Sequence, residues 1–237
     1  MHKSLLSLFL AACLFSCSSQ QQSPFRMAVG SKAEVHNYAK ITSTVSSEAG
    51  QALLGEIDTE KYDKLKKYWV PQKKNFCGVC SAVITINTSR DNNHLTQRNL
   101  FDKEVKKIIL PETVSKIGLT LRELHEIIST RAKDLKTYKY PSHTSGLDLF
   151  RKQLKENDAN DSFMIVNFSR QSLAGTGMRS GHFSIVAGYH EEKKQVFILE
   201  VNGDKESFWV ADKDLFTAMK AIDPVSQIPR GWVITGK

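Results

Sequence analysis

From Phe163 to Thr235 the chain repeats one local pattern, and that pattern limits the fold more than any other feature. Phe163–Phe168, His182–Ala187, Gln195–Val201, Phe208–Val210 and Gly231–Thr235 are short runs of β-branched, aromatic and aliphatic residues, each cut off by charged or turn-forming residues. Runs of this length and composition suit pleated strands, and the short connections between them favour antiparallel pairing. Leu215–Ile222 reads as a short helix between the last two.

The middle of the chain has a different period. From Thr120 the apolar residues Leu121, Leu124, Ile127, Ile128, Ala132 and Leu135 recur at i, i+3, i+4, and Thr120-Leu121-Arg122-Glu123 reads as a capping box that starts an amphipathic helix. A second helix is expected from Gly146 to about Asn157, with Leu147, Phe150 and Leu154 on one face. Helices first and sheet second makes the fold class α+β.

The 237 residues, 41% of them hydrophobic, suffice for one globular domain. No apolar run reaches the ~18 residues of a spanning helix. The net charge of +8 is spread over separate pairs such as Lys66-Lys67 and Lys106-Lys107. With no concentrated basic face interleaved with aromatics, no nucleic-acid partner is expected.

The first residues read as an export signal: Met1-His2-Lys3 supplies positive charge, Leu5–Leu14 an apolar stretch, and Ser16-Cys17 a small residue before cysteine. With the polar spacer Ser18–Ser23 behind it, this resembles the lipobox of bacterial lipoproteins, and Cys17 is the expected lipidation site. Residues 1–16 are then a signal peptide and 17–61 a tether and lead-in segment, since 24–60 is rich in Ser, Thr, Ala and Gly. The folded domain is expected over 62–237. An exported, membrane-anchored protein facing the periplasm follows, and Ser18 favours the outer membrane.

Of the four cysteines, only Cys77 and Cys80 remain for the folded part. Such a CxxC pair can be a redox pair, half of a zinc site, or two thiols of which one is catalytic. The histidines offer no closely spaced ligand pair, which argues against structural zinc. Cys77-Gly78 suits the first turn of a helix, where free N–H groups and the dipole favour a thiolate. Propensity disagrees, because Val83-Ile84-Thr85-Ile86 looks like strand.

A cysteine nucleophile needs a base and the base an orienting partner. His182 opens a strand that returns through a hairpin as Gln195 to Asn202. A loop of three or five residues would put Asn202 opposite His182 and Glu200 diagonally beside it; an even loop would turn both away.

These pieces resemble one family. Gln72–Ser81, with Cys77-Gly78, looks like the nucleophile segment of phytochelatin synthase, a papain-like glutathione γ-glutamylcysteinyltransferase. Gly175-Thr176-Gly177 and Gly181-His182-Phe183-Ser184-Ile185-Val186-Ala187-Gly188-Tyr189 are similar to its histidine segment, and Val196–Val201 to its following strand. Phe208-Trp209-Val210 and Ala221-Ile222-Asp223 with Arg230-Gly231 continue the likeness. The resemblance implies a papain-like fold, with an N-terminal helical lobe carrying the nucleophile helix and an antiparallel sheet lobe after it. It implies Cys77 as the acylated nucleophile, His182 as the general base, and Glu200 at the position of the family's orienting aspartate. Gln72 stands near the oxyanion glutamine, five residues before the cysteine where six is common. Asp223 and Arg230, with Gly181, stand where the charged ends of a γ-glutamyl group are held. The implied substrate is glutathione, cleaved at its Cys–Gly bond through a thioester. Hydrolysis needs no cofactor, and Cd or Zn would enter as the glutathione thiolate.

The sequence departs from the family at three points. Glu200 is longer than aspartate by a methylene, leaving Asn202 or Asp204 as alternative partners of His182. Cys80 replaces a small apolar residue, so oxidation could silence Cys77. No cysteine follows Cys80, which tilts the expectation toward glutathione hydrolysis over phytochelatin synthesis. Three rivals stay open: a papain-like peptidase for another peptide, a thiol–disulfide protein, and a metal-binding lipoprotein without turnover.

Overall fold

All five β-rich runs form strands, and two strands that propensity did not mark complete their sheet. The computed structural model describes residues 40–174 and 180–237. In chain order they form β1 (Ile41–Thr44), α1 (Glu48–Leu54), α2 (Glu60–Lys67), α3 (Cys77–Arg90), α4 (Val105–Ile108), α5 (Pro111–Ile117) and α6 (Leu121–Arg131). Then follow β2 (Lys136–Pro141), α7 (Leu147–Ala159), β3 (Ser162–Ser169), α8 (Arg170–Ala174), β4 (Gly181–His190), β5 (Gln195–Leu199), β6 (Phe208–Ala211), α9 (Asp212–Met219) and β7 (Gly231–Gly236). The export segment, Cys17 and the Gly175–Gly177 motif lie outside the described residues.

The strands make one seven-stranded sheet in the order β1-β6-β5-β4-β3-β7-β2, with every pairing antiparallel. Side-chain alternation divides its two faces. Phe163, Ile165, Phe183, Ile185, Phe197 and Leu199 join the core that holds α3 and α6, whereas Met164, Val166, Val186, Val196 and Ile198 join the core under α7 and α9. Apolar cover on both faces explains why the central strands read as continuous hydrophobic runs.

The capping box at Thr120 is present as the sequence predicts, with the Thr120 side chain accepting from Glu123 N–H and the Glu123 carboxylate accepting from Thr120 N–H. α7 also begins where the pattern places it.

Two expectations are corrected. The folded part begins well before Tyr62. β1 pairs with β6 and forms one edge of the sheet, and the carbonyl of Gly50 in α1 accepts a hydrogen bond from the indole of the buried Trp209 at 3.2 Å. Small and hydroxylated residues there are structured by these tertiary partners, not by local propensity. The strand-like Val83–Ile86 stretch is helical, within α3. Every residue from Cys77 to Thr88 is buried, so burial against sheet and helices overrides the modest helix cost of β-branched residues. Their buried hydroxyls find carbonyls one turn back: Thr85 Oγ1 donates to Ser81 O at 2.9 Å and Thr88 Oγ1 to Ile84 O at 2.7 Å.

Candidate active site

The chain feeds three chemically distinct residues into one cleft from three elements. Cys77 is the first residue of α3, where backbone N–H groups have no intrahelical partner, and Phe76 makes no side-chain cap. His182 is the second residue of β4, and Glu200 follows the last residue of β5.

Their meeting depends on a bulge. His190 pairs with Gln195 across the four-residue turn Glu191–Lys194, the even length expected to turn Glu200 away. The register shifts between Val186 and Gly188, so that Val186 pairs with Ile198 and Ile185 with Leu199. The extra residue, Ala187, reverses the parity and returns Glu200 to the face of His182.

His182 Nε2 lies 2.6 Å from Glu200 Oε1, and the same oxygen accepts the Asn202 N–H at 2.8 Å. Glu200 is thus the partner of His182. Asn202 serves it through its backbone, while its side chain caps the next turn by accepting from Asp204 N–H at 3.1 Å; Asp204 itself is exposed. The Trp69 indole donates to Glu200 O at 2.9 Å and holds the main chain in place.

Charge balances in this dry setting. Burial would raise the Glu200 carboxyl, but His182 and the Asn202 N–H hold it well below the usual carboxylate range. Burial presses His182 down, and the Glu200 charge together with the hydrogen bonds to Cys77 and Glu200 outweighs it, so the imidazole is raised. Burial likewise opposes a Cys77 thiolate, yet the His182 imidazole, the Phe183 N–H and the Arg170 charge bring the thiol below its ordinary value. A thiolate–imidazolium pair backed by a carboxylate is the state these shifts favour.

Arg170 was not anticipated from the sequence. Its guanidinium lies 2.6 Å from His182 Nδ1. Guanidinium only donates, so while this contact is made Nδ1 is an acceptor and the ring proton is on Nε2, toward Glu200; an imidazolium needs Arg170 to release Nδ1. No spacing rule links Arg170 to His182. They meet because β3 and β4 pair Phe168 with His182 and Ser169 with Gly181, leaving Arg170 at the strand end.

The remaining anticipated residues line the same cleft, a cavity of about 300 Å³ that contains Gln72, Cys77, Gly181, His182, Asp223 and Arg230. Gly181 has a steric reason to be glycine: a Cβ there would come within 2.8 Å of Arg230 Nε. The Arg230 guanidinium is held by the carbonyls of Ala221 at 2.9 Å and Ile222 at 2.8 Å. Burial lowers its pKa, and the nearby Asp223 charge works in the opposite direction.

Four buried polar atoms without a partner among the described residues belong to this cleft: Gln72 Oε1, Asn167 Oδ1, Arg170 Nε and Arg230 Nε. Buried polar groups are nearly always satisfied, so such a concentration marks a surface shaped for a polar ligand.

Cys80 stands apart. It is fully buried, donates its thiol to Val70 O at 3.1 Å, and is pushed up strongly by burial and by Cys77. This is a packed thiol, which does not favour the thiol–disulfide reading.

The profile of phytochelatin synthase matches residues 33–232. The chain belongs to the phytochelatin synthase family. Among named relatives, it is 28% identical to glutathione γ-glutamylcysteinyltransferase 3 of Lotus japonicus over 191 residues, covering 78% of this chain and 39% of that protein. It is 27% identical to glutathione γ-glutamylcysteinyltransferase of Schizosaccharomyces pombe over 199 residues, 81% of this chain and 47% of the relative. A third, glutathione γ-glutamylcysteinyltransferase 2 of Arabidopsis thaliana, is 29% identical over 68% of this chain and 36% of its own length. The chain therefore spans less than half the length of each of these phytochelatin synthase relatives. Its helices followed by an antiparallel sheet, with cysteine on a helix N-terminus facing histidine on a strand, are compatible with the papain-like α+β fold that the sequence led us to expect.

Proposed function

We propose that the chain is a cysteine acyltransferase acting on glutathione. The observation that carries this is one cleft holding a Cys77–His182–Glu200 line together with unpartnered donors and acceptors suited to a zwitterionic peptide. The γ-glutamyl end of glutathione carries an ammonium and a carboxylate. Asp223 and the Asn167 carbonyl suit the first, and Arg230 suits the second. Arg170 suits the glycine carboxylate at the other end, and turning toward it frees His182 Nδ1 for the Cys77 proton.

The reaction follows from these roles. His182 takes the thiol proton, and the Cys77 thiolate attacks the carbonyl of the Cys–Gly bond. The oxyanion is stabilised by the Cys77 N–H and the Gln72 amide. His182 returns the proton to the departing glycine amine, leaving a γ-glutamylcysteinyl thioester on Cys77. Water then gives γ-Glu-Cys, and a second glutathione gives phytochelatin. A Cd or Zn thiolate of glutathione would be a form of the substrate, and hydrolysis calls for no cofactor. The reading includes a lipid anchor at Cys17 and a site outside the cytoplasmic membrane, both resting on sequence alone.

Mass spectrometry of reduced protein mixed with glutathione tests the acyl-enzyme. The expected result is a protein adduct of one γ-glutamylcysteinyl unit with equimolar free glycine, lost in Cys77→Ser and kept in Cys80→Ser. A glutathione mixed disulfide without glycine release would overturn the reading.

A further inference from the structure

Gln72 sits on a segment with no regular structure, between α2 and α3, yet an oxyanion donor has to be held to a fraction of an ångström. An irregular strap loses backbone entropy with every residue it orders, so something must hold it. On its inner side, Gln72 N–H donates to Val201 O at 2.8 Å, next to Glu200.

The outer side is held by one side chain. Gln97, only 8% exposed, accepts the Lys73 N–H on Oε1 at 2.9 Å and donates from Nε2 to Pro71 O at 2.8 Å. Its primary amide therefore binds the carbonyl before Gln72 and the N–H after it, as a neighbouring strand would. Both hydrogen bonds are consumed by the backbone, leaving the Gln72 side chain to the cleft, where its Oε1 has no partner among the described residues.

Gln97 is itself fixed through α3. Asn87, buried near the C-terminal end of that helix, donates to Leu95 O at 2.9 Å and accepts Leu95 N–H at 3.1 Å. The next turn is closed by Thr96 N–H to Asn99 Oδ1 at 2.7 Å and Asn99 N–H to Thr96 Oγ1 at 3.1 Å. One helix thus places the nucleophile at its first residue and, through two amides in series, the strap that carries Gln72 from its far end.

We propose that Gln97 is a positioning residue whose side-chain amide clamps the 71–73 backbone and so aims the Gln72 amide at the reacting carbonyl. This rests on Gln72 being the oxyanion donor, and the experiment separates the two claims.

Steady-state glycine release from glutathione is measured for the full chain carrying Gln97→Met, Gln97→Glu, Gln72→Ala and the Gln97→Met/Gln72→Ala pair. Gln97→Met removes both clamp bonds at nearly constant volume; Gln97→Glu keeps the acceptor for Lys73 N–H. Loss of an oxyanion donor lowers kcat by about 10²–10³-fold, the expectation for Gln72→Ala. Gln97→Met is expected to lower kcat by about 10–10²-fold with KM within about twofold, and Gln97→Glu by less. In the Gln72→Ala background Gln97→Met should add less than a twofold effect, because the group it aims is gone. The rate of Cys77 alkylation by iodoacetamide stays at the wild-type value in every variant that retains a folded Cys77–His182–Glu200 line, which distinguishes misdirection from misfolding. Additive effects of the two substitutions, or a Gln97→Met enzyme with full kcat, would overturn the clamp. A Gln72→Ala enzyme with full kcat would instead remove the oxyanion role itself, and with it the reason for a clamp.

Discussion

At the scale of single groups, the carboxylate of Glu200 sets where the proton of His182 resides. It accepts from Nε2 and from the Asn202 N–H, and it raises the imidazole that burial alone would lower. The sign of the resulting pH dependence can be worked out. Cys77 is lowered and His182 raised, so both shifts favour the thiolate–imidazolium pair, and alkylation of Cys77 by neutral iodoacetamide rises with pH through the lowered thiol value. Replacing Glu200 by Gln removes the charge that favours imidazolium, so the pair is weakened and the midpoint moves to higher pH. A midpoint that stays in place in Glu200→Gln would show that the carboxylate does not tune the pair. For catalysis, Glu200→Gln should lower kcat by about 10²–10⁴-fold, as loss of an orienting carboxylate does in a comparable triad. Glu200→Asp retracts the oxygens by about 1.5 Å, one carbon–carbon bond, and should cost about 10–10²-fold.

Among elements, the hairpin β4–β5 shows how a local irregularity governs chemistry. An even turn and a one-residue bulge at Ala187 cancel, and only together do they bring Glu200 to the face of His182. The sequence left the turn open between odd and even lengths, and it did not fix the bulge, because a glycine inside a strand such as Gly188 marks either a bulge or a close contact. The start of the same strand carries a prediction. Gly181→Ala would put a methyl within 2.8 Å of Arg230 Nε, while carbonyls of Ala221 and Ile222 hold that guanidinium from the other side. Displacement of Arg230 should raise KM for glutathione by about tenfold, in line with loss of one charge-assisted contact. Cys77 alkylation should stay at the wild-type rate, and unchanged KM would remove Arg230 from substrate recognition.

For the whole molecule, the sheet works as a partition with an apolar core on each face, and the cleft opens at one end of its central strands. The stretch before Tyr62 is part of that partition. β1 covers the edge of β6, α1 buries Leu53, and Gly50 O satisfies the indole of Trp209. A chain starting at Tyr62 should melt at least about 5 °C lower than one starting at Lys40, since loss of one buried leucine and one buried hydrogen-bond acceptor already costs a few kcal/mol. Circular dichroism melts of the two chains decide this, and equal melting temperatures would make the segment a dispensable lead-in after all.

The sequence by itself determined the period of each segment: the capping box and apolar stripe of α6, the β-rich runs of the last third, and the Cys77 and His182 segments whose residue types already pointed to nucleophile and base. These are local properties, written in residues close together along the chain. Tertiary structure decided what depends on residues far apart. Burial made α3 helical despite Val83–Ile86, and pairing with β6 ordered the serine- and threonine-rich start. Strand register placed Arg170 on His182, the Ala187 bulge returned Glu200 to the face of His182, and the fold of residues 91–99 brought Gln97 to the strap beside the nucleophile. Each is a contact between segments whose separation in sequence carries no periodic signal, because what joins them is packing and hydrogen-bond satisfaction in the folded core.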